Sequence, residues 1–234
     1  MSVPGFKYAR LNLICIIVML VLELYSCGID TIAYLLEKPI VEDESALIFK
    51  GPGVQDENYY GIFIFYKIYA VEADATSDYS SLVAKQNVEN SVPGSNIKSF
   101  LISTSGLDYQ QLVLDGTLSI PTLDRDDLSM LNLANINFPS ESNVFPTLII
   151  KDKLSSAIIK ELEMRRSEIS SNGLYLSFLD EPQNGDQDYK TSSGDTNKNE
   201  YHIQFFGVAY GLDFSDLSDL YGEAVYLGRV KQYF

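Results

Sequence analysis

Few residues in this chain have the types and spacing that chemistry needs. There is one histidine, His202, so a Ser-His-Asp relay could draw on no other base. It sits in the aromatic run YHIQFFGVAY with no nucleophile elbow beside it, which reads as a structural or surface position. No Gly-rich phosphate loop follows a strand, and neither H-E-x-x-H nor C-x-x-C occurs. Carboxylates are abundant, and a carboxylate pair could serve a hydrolase, yet with 32 acids some close pair is expected by chance. Two acidic clusters are weak candidates for calcium, which takes several oxygen ligands. Asp186-x-Asp188 has the alternation of a calcium loop but lacks the glycine and closing glutamate of an EF-hand. Asp213, Asp216 and Asp219 would share one helix face, although Leu212, Phe214, Leu217 and Leu220 interleave them as in an amphipathic turn. The reading is no metal, no cofactor and no catalytic residue.

The cysteines carry the stronger signal. Lys7 and Arg10 precede the 12-residue apolar run LNLICIIVMLVL, which Glu23 closes before Leu24-Tyr25-Ser26-Cys27-Gly28. A membrane-spanning helix needs about 20 apolar residues, and about 10–14 suits the core of a signal peptide. A basic start, a short apolar middle and a small residue before a cysteine therefore predict a signal peptide over residues 1–26. Cys15 would leave with it, so no intrachain disulfide could form and Cys27 would be the sole thiol. Leu24-Tyr25-Ser26-Cys27 resembles the lipobox of bacterial lipoproteins, with Tyr25 departing from the small residue usual at its place. That resemblance implies cleavage before Cys27 and acylation of Cys27 as a membrane anchor. The expected location is the bacterial cell envelope, on the outer or cytoplasmic membrane, facing the periplasm or the exterior.

Removing residues 1–26 takes away Lys7, Arg10 and Glu23 and leaves 15 basic and 31 acidic residues, a net charge of −16. Such a field repels phosphate backbones, so no nucleic-acid partner is expected. Sixteen Tyr and 12 Phe in a chain without Trp favour sheet over helix bundle.

The elements that must position any site read as mainly β. Residues 27–37 form a short tether, and residues 38–234 a single β-sandwich domain with insertions over about 72–173. Lys38–Val41 is an opening edge strand, since Pro39 lacks a ladder donor. Ala46–Phe49 is a second strand, stopped by Gly51-Pro52-Gly53. Tyr59–Val71 (YYGIFIFYKIYAV) is apolar on both faces, which predicts a central strand covered on both sides. Residues 72–100 read as loop with a short helix over Tyr79–Gln86. Leu101–Ser103, Leu112–Leu114 and Val144–Ile150 are short strands, with an exposed acidic turn at Asp124–Asp127. Residues 153–170 fit helix or strand, with strand preferred for Ile158–Arg165. Leu174–Leu179, Tyr201–Tyr210 and Ala224–Val230 complete the strands. Asp180–Glu200, almost without hydrophobes, predicts a flexible acidic loop.

The SCG start, GIFIFYKIYA, YHIQFFGVAYGLD and AVYLGRV together resemble lipoproteins of spirochaetes, most of them uncharacterised. Gly61-Ile62-Phe63-Ile64-Phe65-Tyr66 and Ala209-Tyr210-Gly211 are similar to the paired central strands of fibronectin type III modules. The resemblance implies an immunoglobulin/fibronectin III-like β-sandwich after a signal helix, and transfers no catalytic residue. The functional expectation is a lipid-anchored, non-catalytic binding or interaction module with a protein or glycan ligand. A carboxylate-based hydrolase and a structural subunit of an envelope complex are the rivals. The tyrosines of 59–79 and 201–226 are the candidate recognition surface, against ordinary sheet packing.

Overall fold

The computed structural model describes residues 36–55, 57–88, 94–139, 144–191, 200–214 and 216–233. The expected signal peptide, Cys27 and most of the expected tether lie outside the described residues. The rest is mainly β, with two facing sheets and two helices.

The strongest pattern builds the centre. β3 (Tyr59–Tyr69) pairs antiparallel along its length with β12 (Glu200–Asp213), Phe63 opposite Val208 and Phe65 opposite Phe206. β12 pairs in turn with β13 (Ser218–Tyr233). The other edge of β3 is closed by three two-residue strands: β6 (Leu123–Asp124), β4 (Gln110–Gln111) and the parallel β11 (Tyr189–Lys190). The opposing sheet runs β1 (Ile40–Asp43), β2 (Ile48–Lys50), β7 (Asn132–Asn137), β8 (Thr147–Asp152), β9 (Ile158–Ile169) and β10 (Tyr175–Ser177), with β5 (Val113–Leu114) also on β9. The expected edge strand at Pro39 is thus an edge strand, beginning at Ile40.

Alternation sorts the side chains of β3 into two cores. Ile62, Ile64, Tyr66 and Ile68 meet Phe49, Ala134, Ile136, Leu148, Ile150 and Met164 of the opposing sheet. Phe63, Phe65 and Tyr69 face the other way, with Phe206, Val208 and Ala224. β3 is covered on both sides, as its sequence requires, but the second cover is helical. α1 (Glu72–Val88) and α2 (Gly94–Ile102) lie over this face through Ala75, Leu82, Ile97 and Leu101. The architecture is three layers: helices, sheet, sheet.

Several expectations are corrected here. Residues 72–88 are one helix, not a loop with a short helix at 79–86. Its buried stripe is narrow, Ala75-Asp78-Leu82, with a carboxylate in the middle, so hydrophobic periodicity barely registers. Glu72 and Asp74 in its first turn and Lys85 in its last suit the helix dipole. Leu101 and Ile102 end α2 rather than start a strand. Residues 72–173 are not an appendage to a sandwich: they supply both helices and four strands of the opposing sheet. Strand wins over helix at 158–169, while Leu174–Leu179 shrinks to three residues. Gly61 is needed for close approach. A Cβ on Gly61 would lie 2.1 Å from the Leu123 carbonyl oxygen, because β6 presses on β3 there.

Candidate functional site: an aromatic cleft beside the helix layer

The helices cover only part of the β3-β12-β13 face, and where cover ends an open cleft of about 410 Å³ remains. That falls in the range of small-ligand sites. Each element contributes for a local reason. β3 presents Phe63 and Phe65, β12 presents Tyr210, and β13 presents Asp219 and Tyr221. α2 adds Lys98 and Ile102, and β4 adds Gln110 and Gln111.

The rings are in contact. Tyr210 meets Phe63 edge-on at 5.1 Å between centroids and lies 5.6 Å from Tyr221. The row extends over Tyr60 at 6.5 Å to Phe214, a further 6.2 Å away. The polar groups hold these rings in place. Asp219 accepts the Tyr210 hydroxyl at 2.9 Å and the Tyr221 hydroxyl at 3.1 Å. Lys98 donates to the Tyr221 hydroxyl at 2.8 Å, and its ammonium lies 4.2 Å from the Tyr221 ring centroid and 5.2 Å from that of Phe63. Burial pushes the Lys98 ammonium below the usual lysine range, with Asp219 opposing. Burial and the hydrogen bonds to Asp219 raise both tyrosines. The result is a wall of fixed aromatic faces with one cation, one carboxylate and two amides at its border.

The candidate calcium ligands lie elsewhere or are engaged. Residues 213–219 form the β12–β13 hairpin and not a helix, since β12 runs to Asp213 and β13 starts at Ser218. Asp216 caps that turn through the Ser218 N–H at 2.9 Å, while Asp219 binds tyrosines. Asp186 and Asp188 serve Arg166, a β9 residue buried to 0% exposure. Arg166 donates to both oxygens of Asp188 at 2.8 and 2.6 Å and to Asp186 at 2.5 Å. Tyr66 donates to Asp188 at 2.6 Å and accepts the Ser167 N–H at 2.7 Å. The described part of the acidic segment, residues 180–191, is therefore tied to both sheets, while 192–199 lie outside the described residues. Among the described residues no three His, Cys, Asp or Glu side chains are arranged to hold a metal.

His202 lies on β12, buried, with Nε2 3.4 Å from Glu200 and no partner for Nδ1. Burial lowers its pKa below the usual histidine value. Beside it in the helix-side core, Lys67 donates to the Leu107 carbonyl and stands 3.9 Å from Asp78, which accepts the Tyr69 hydroxyl at 2.9 Å and Lys190 at 2.8 Å. Sequence reasoning missed this cluster. Its only signal was a lysine inside an otherwise apolar strand. A second cleft, about 420 Å³, holds the carboxylates Asp115 and Glu163 with Arg165, Leu174 and Tyr175. Asp115 accepts the Glu163 N–H at 2.7 Å, and Glu163 is ion-paired with Arg165 at 2.5 Å.

Among the described residues no helix is long and apolar enough to cross a membrane. No family model matches the chain, and no curated protein or solved structure is similar to it.

Proposed function

We propose that this protein is a lipid-anchored cell-envelope module that binds its ligand, without catalysis, in the aromatic cleft of Phe63, Lys98, Tyr210, Asp219 and Tyr221. The observation that carries this reading is the set of contiguous rings locked by Asp219 and Lys98 in an open cleft. Fixed aromatic faces suit the apolar C–H faces of a sugar ring, and the bordering carboxylate, amides and ammonium suit its hydroxyls. The net charge of the chain disfavours acidic polymers, so a neutral glycan is the better fit than an anionic one. The anchor is the acylated Cys27, and its support is the Leu24-Tyr25-Ser26-Cys27 pattern after the 12-residue apolar run. The immunoglobulin/fibronectin III-like type of the sandwich is also part of the proposal, supported by the pairing of the two resembling strands, β3 and β12.

Titrating the protein with neutral chito-, malto- and cello-oligosaccharides tests the site. At least one should bind, and Tyr221→Ala should weaken it tenfold or more while the protein stays folded. No binding by any of the three, or binding indifferent to Tyr221→Ala, removes the glycan reading. The hydrolase rival has its own location at Asp115 and Glu163. It predicts turnover of such oligosaccharides that Glu163→Gln abolishes.

A further inference from the structure

One end of the opposing sheet is unusually apolar. Strand register fixes which residues meet there: Ile40 pairs Lys50, Asn132 pairs Asp152, Lys151 pairs Ile158, and the Lys153 N–H donates to the Leu131 carbonyl at 2.7 Å. The start of β1, the end of β2, the start of β7 and the β8–β9 hairpin thus share one end. Val54 joins them, since its N–H donates to Glu37 at 2.9 Å beside Ile40. Val54, Met130, Leu131, Ile158 and Ile159 are each more than half exposed there, and Leu154 at the hairpin tip is 81% exposed. Lys151, Lys153 and Lys160 stand among them, with Lys160 held by Asp127 at 3.0 Å and Lys153 3.7 Å from Glu42. Asp152, in the same hairpin, caps the Leu154 and Ser155 N–H groups at 3.0 and 2.6 Å.

The described residues begin at this same end, with Leu36–Ile40. Eight residues separate Cys27 from Leu36, and the nine extended steps between the two reach at most about 30 Å. We propose that this end is a second membrane contact: Leu154 and its apolar neighbours enter the interfacial region of the bilayer, with Lys151 at their border meeting headgroup phosphates. The proposal rests on the lipid-anchor reading, because the short tether is what turns this end toward the bilayer. It adds a protein contact with the bilayer to the acyl anchor.

The chain has no Trp, so a single introduced indole is a clean probe. The acylated full chain carrying Leu154→Trp is reconstituted in vesicles of phosphatidylcholine and phosphatidylglycerol with brominated acyl chains. Expected are a blue-shifted emission and strong quenching. Leu174→Trp, two-thirds exposed near the opposite end of β9, should stay unquenched. Flotation of the vesicles with Leu154→Trp unquenched overturns the docking and leaves the anchor. A blue shift that bromine does not quench also overturns it, pointing to a second copy if it depends on concentration and to the chain's own N-terminal segment if it does not. Failure to float overturns the anchor and the docking with it.

Discussion

Asp188→Ala should be among the most damaging single substitutions in the described fold. Asp188 is fully buried and takes three hydrogen bonds: two from Arg166, itself fully buried, and one from Tyr66. Its backbone carbonyl also accepts the Ile68 N–H at 2.8 Å, so the residue joins β9, β3 and the acidic segment. Removing one partner of a buried ion pair costs about 3–5 kcal/mol, because the other charge is left uncompensated. Arg166 would keep Asp186 at 2.5 Å and the Asp180 carbonyl at 3.4 Å. The expected loss is therefore near the lower bound, about 3 kcal/mol, which for a domain of this size lowers Tm by about 6–12 °C. Tyr66→Phe removes the hydrogen bond to charged Asp188 and the acceptor of the Ser167 N–H, and should cost about 2–3 kcal/mol. The double substitution Arg166→Met with Asp188→Leu removes both charges, so it should cost less than Asp188→Ala alone. Urea unfolding followed by circular dichroism gives all three values. A loss below about 1 kcal/mol for Asp188→Ala, or a double variant as costly as the sum of its singles, would refute the reasoning.

Alkaline pH should unfold the protein cooperatively. Burial holds the Tyr59, Tyr66, Tyr69 and Tyr109 phenols well above the ordinary tyrosine value, and pushes Tyr201 up to about 12. A raised folded pKa means stability complete below the unfolded value near 10 and lost as pH climbs beyond it. Each phenol kept protonated forfeits about 1.4 kcal/mol per pH unit there, so the phenolate absorbance of these five tyrosines should appear in one step with loss of circular dichroism, not as independent titrations. Gly61→Ala should destabilise by about 2 kcal/mol or more, since its methyl meets backbone and not a side chain that can turn away; an unchanged urea midpoint would show that β6 yields freely. Millimolar calcium should leave Tm unmoved, given that Asp186, Asp188 and Asp219 already hold donors; a rise of several degrees would reinstate a calcium site. Cys27→Ala should abolish palmitate labelling and release the protein from membranes, and retention of either would end the anchor reading.

Strand content was legible where one physical signal dominated. The apolar density of Tyr59–Tyr69 and the aromatic alternation of Tyr201–Tyr210 could form only buried strands, and the structure pairs them with each other. β7 was missed because its sequence, NLANIN, blurs the alternation: Leu133 lies on the outer face with Asn135 and Asn137, only Ala134 and Ile136 enter the apolar core, and Asn is depleted in strands. α1 was largely missed because its buried face includes Asp78, a residue whose partners, Tyr69 and Lys190, are distant in sequence. The acidic segment misled for the same reason: composition counts Asp188 as solvated, while its partner Arg166 lies 22 residues earlier. The tyrosines of the candidate cleft were visible as a group, but not which of them remain open, since that depends on where α2 ends.

That dependence is the link between the inserted helices and the site. A sandwich sheet with Phe63, Phe65, Phe206 and Val208 on its outer face would expose a large apolar surface without cover. α1 and α2 hide most of it, and α2, nine residues long, stops at Ile102 on the rim of the cleft. The rings left over are those that carry a hydroxyl or stand beside one: Tyr210 and Tyr221 are satisfied by Asp219 and Lys98 without help from the helix backbone. The helix layer thus determines the cleft by its length, and the charges on β13 and α2 determine that the cleft stays rigid when empty. Lengthening α2 by one apolar turn past Ile102 would close the cleft over the same core. It should abolish ligand binding in the folded variant, and binding that survived would place the ligand elsewhere on the molecule.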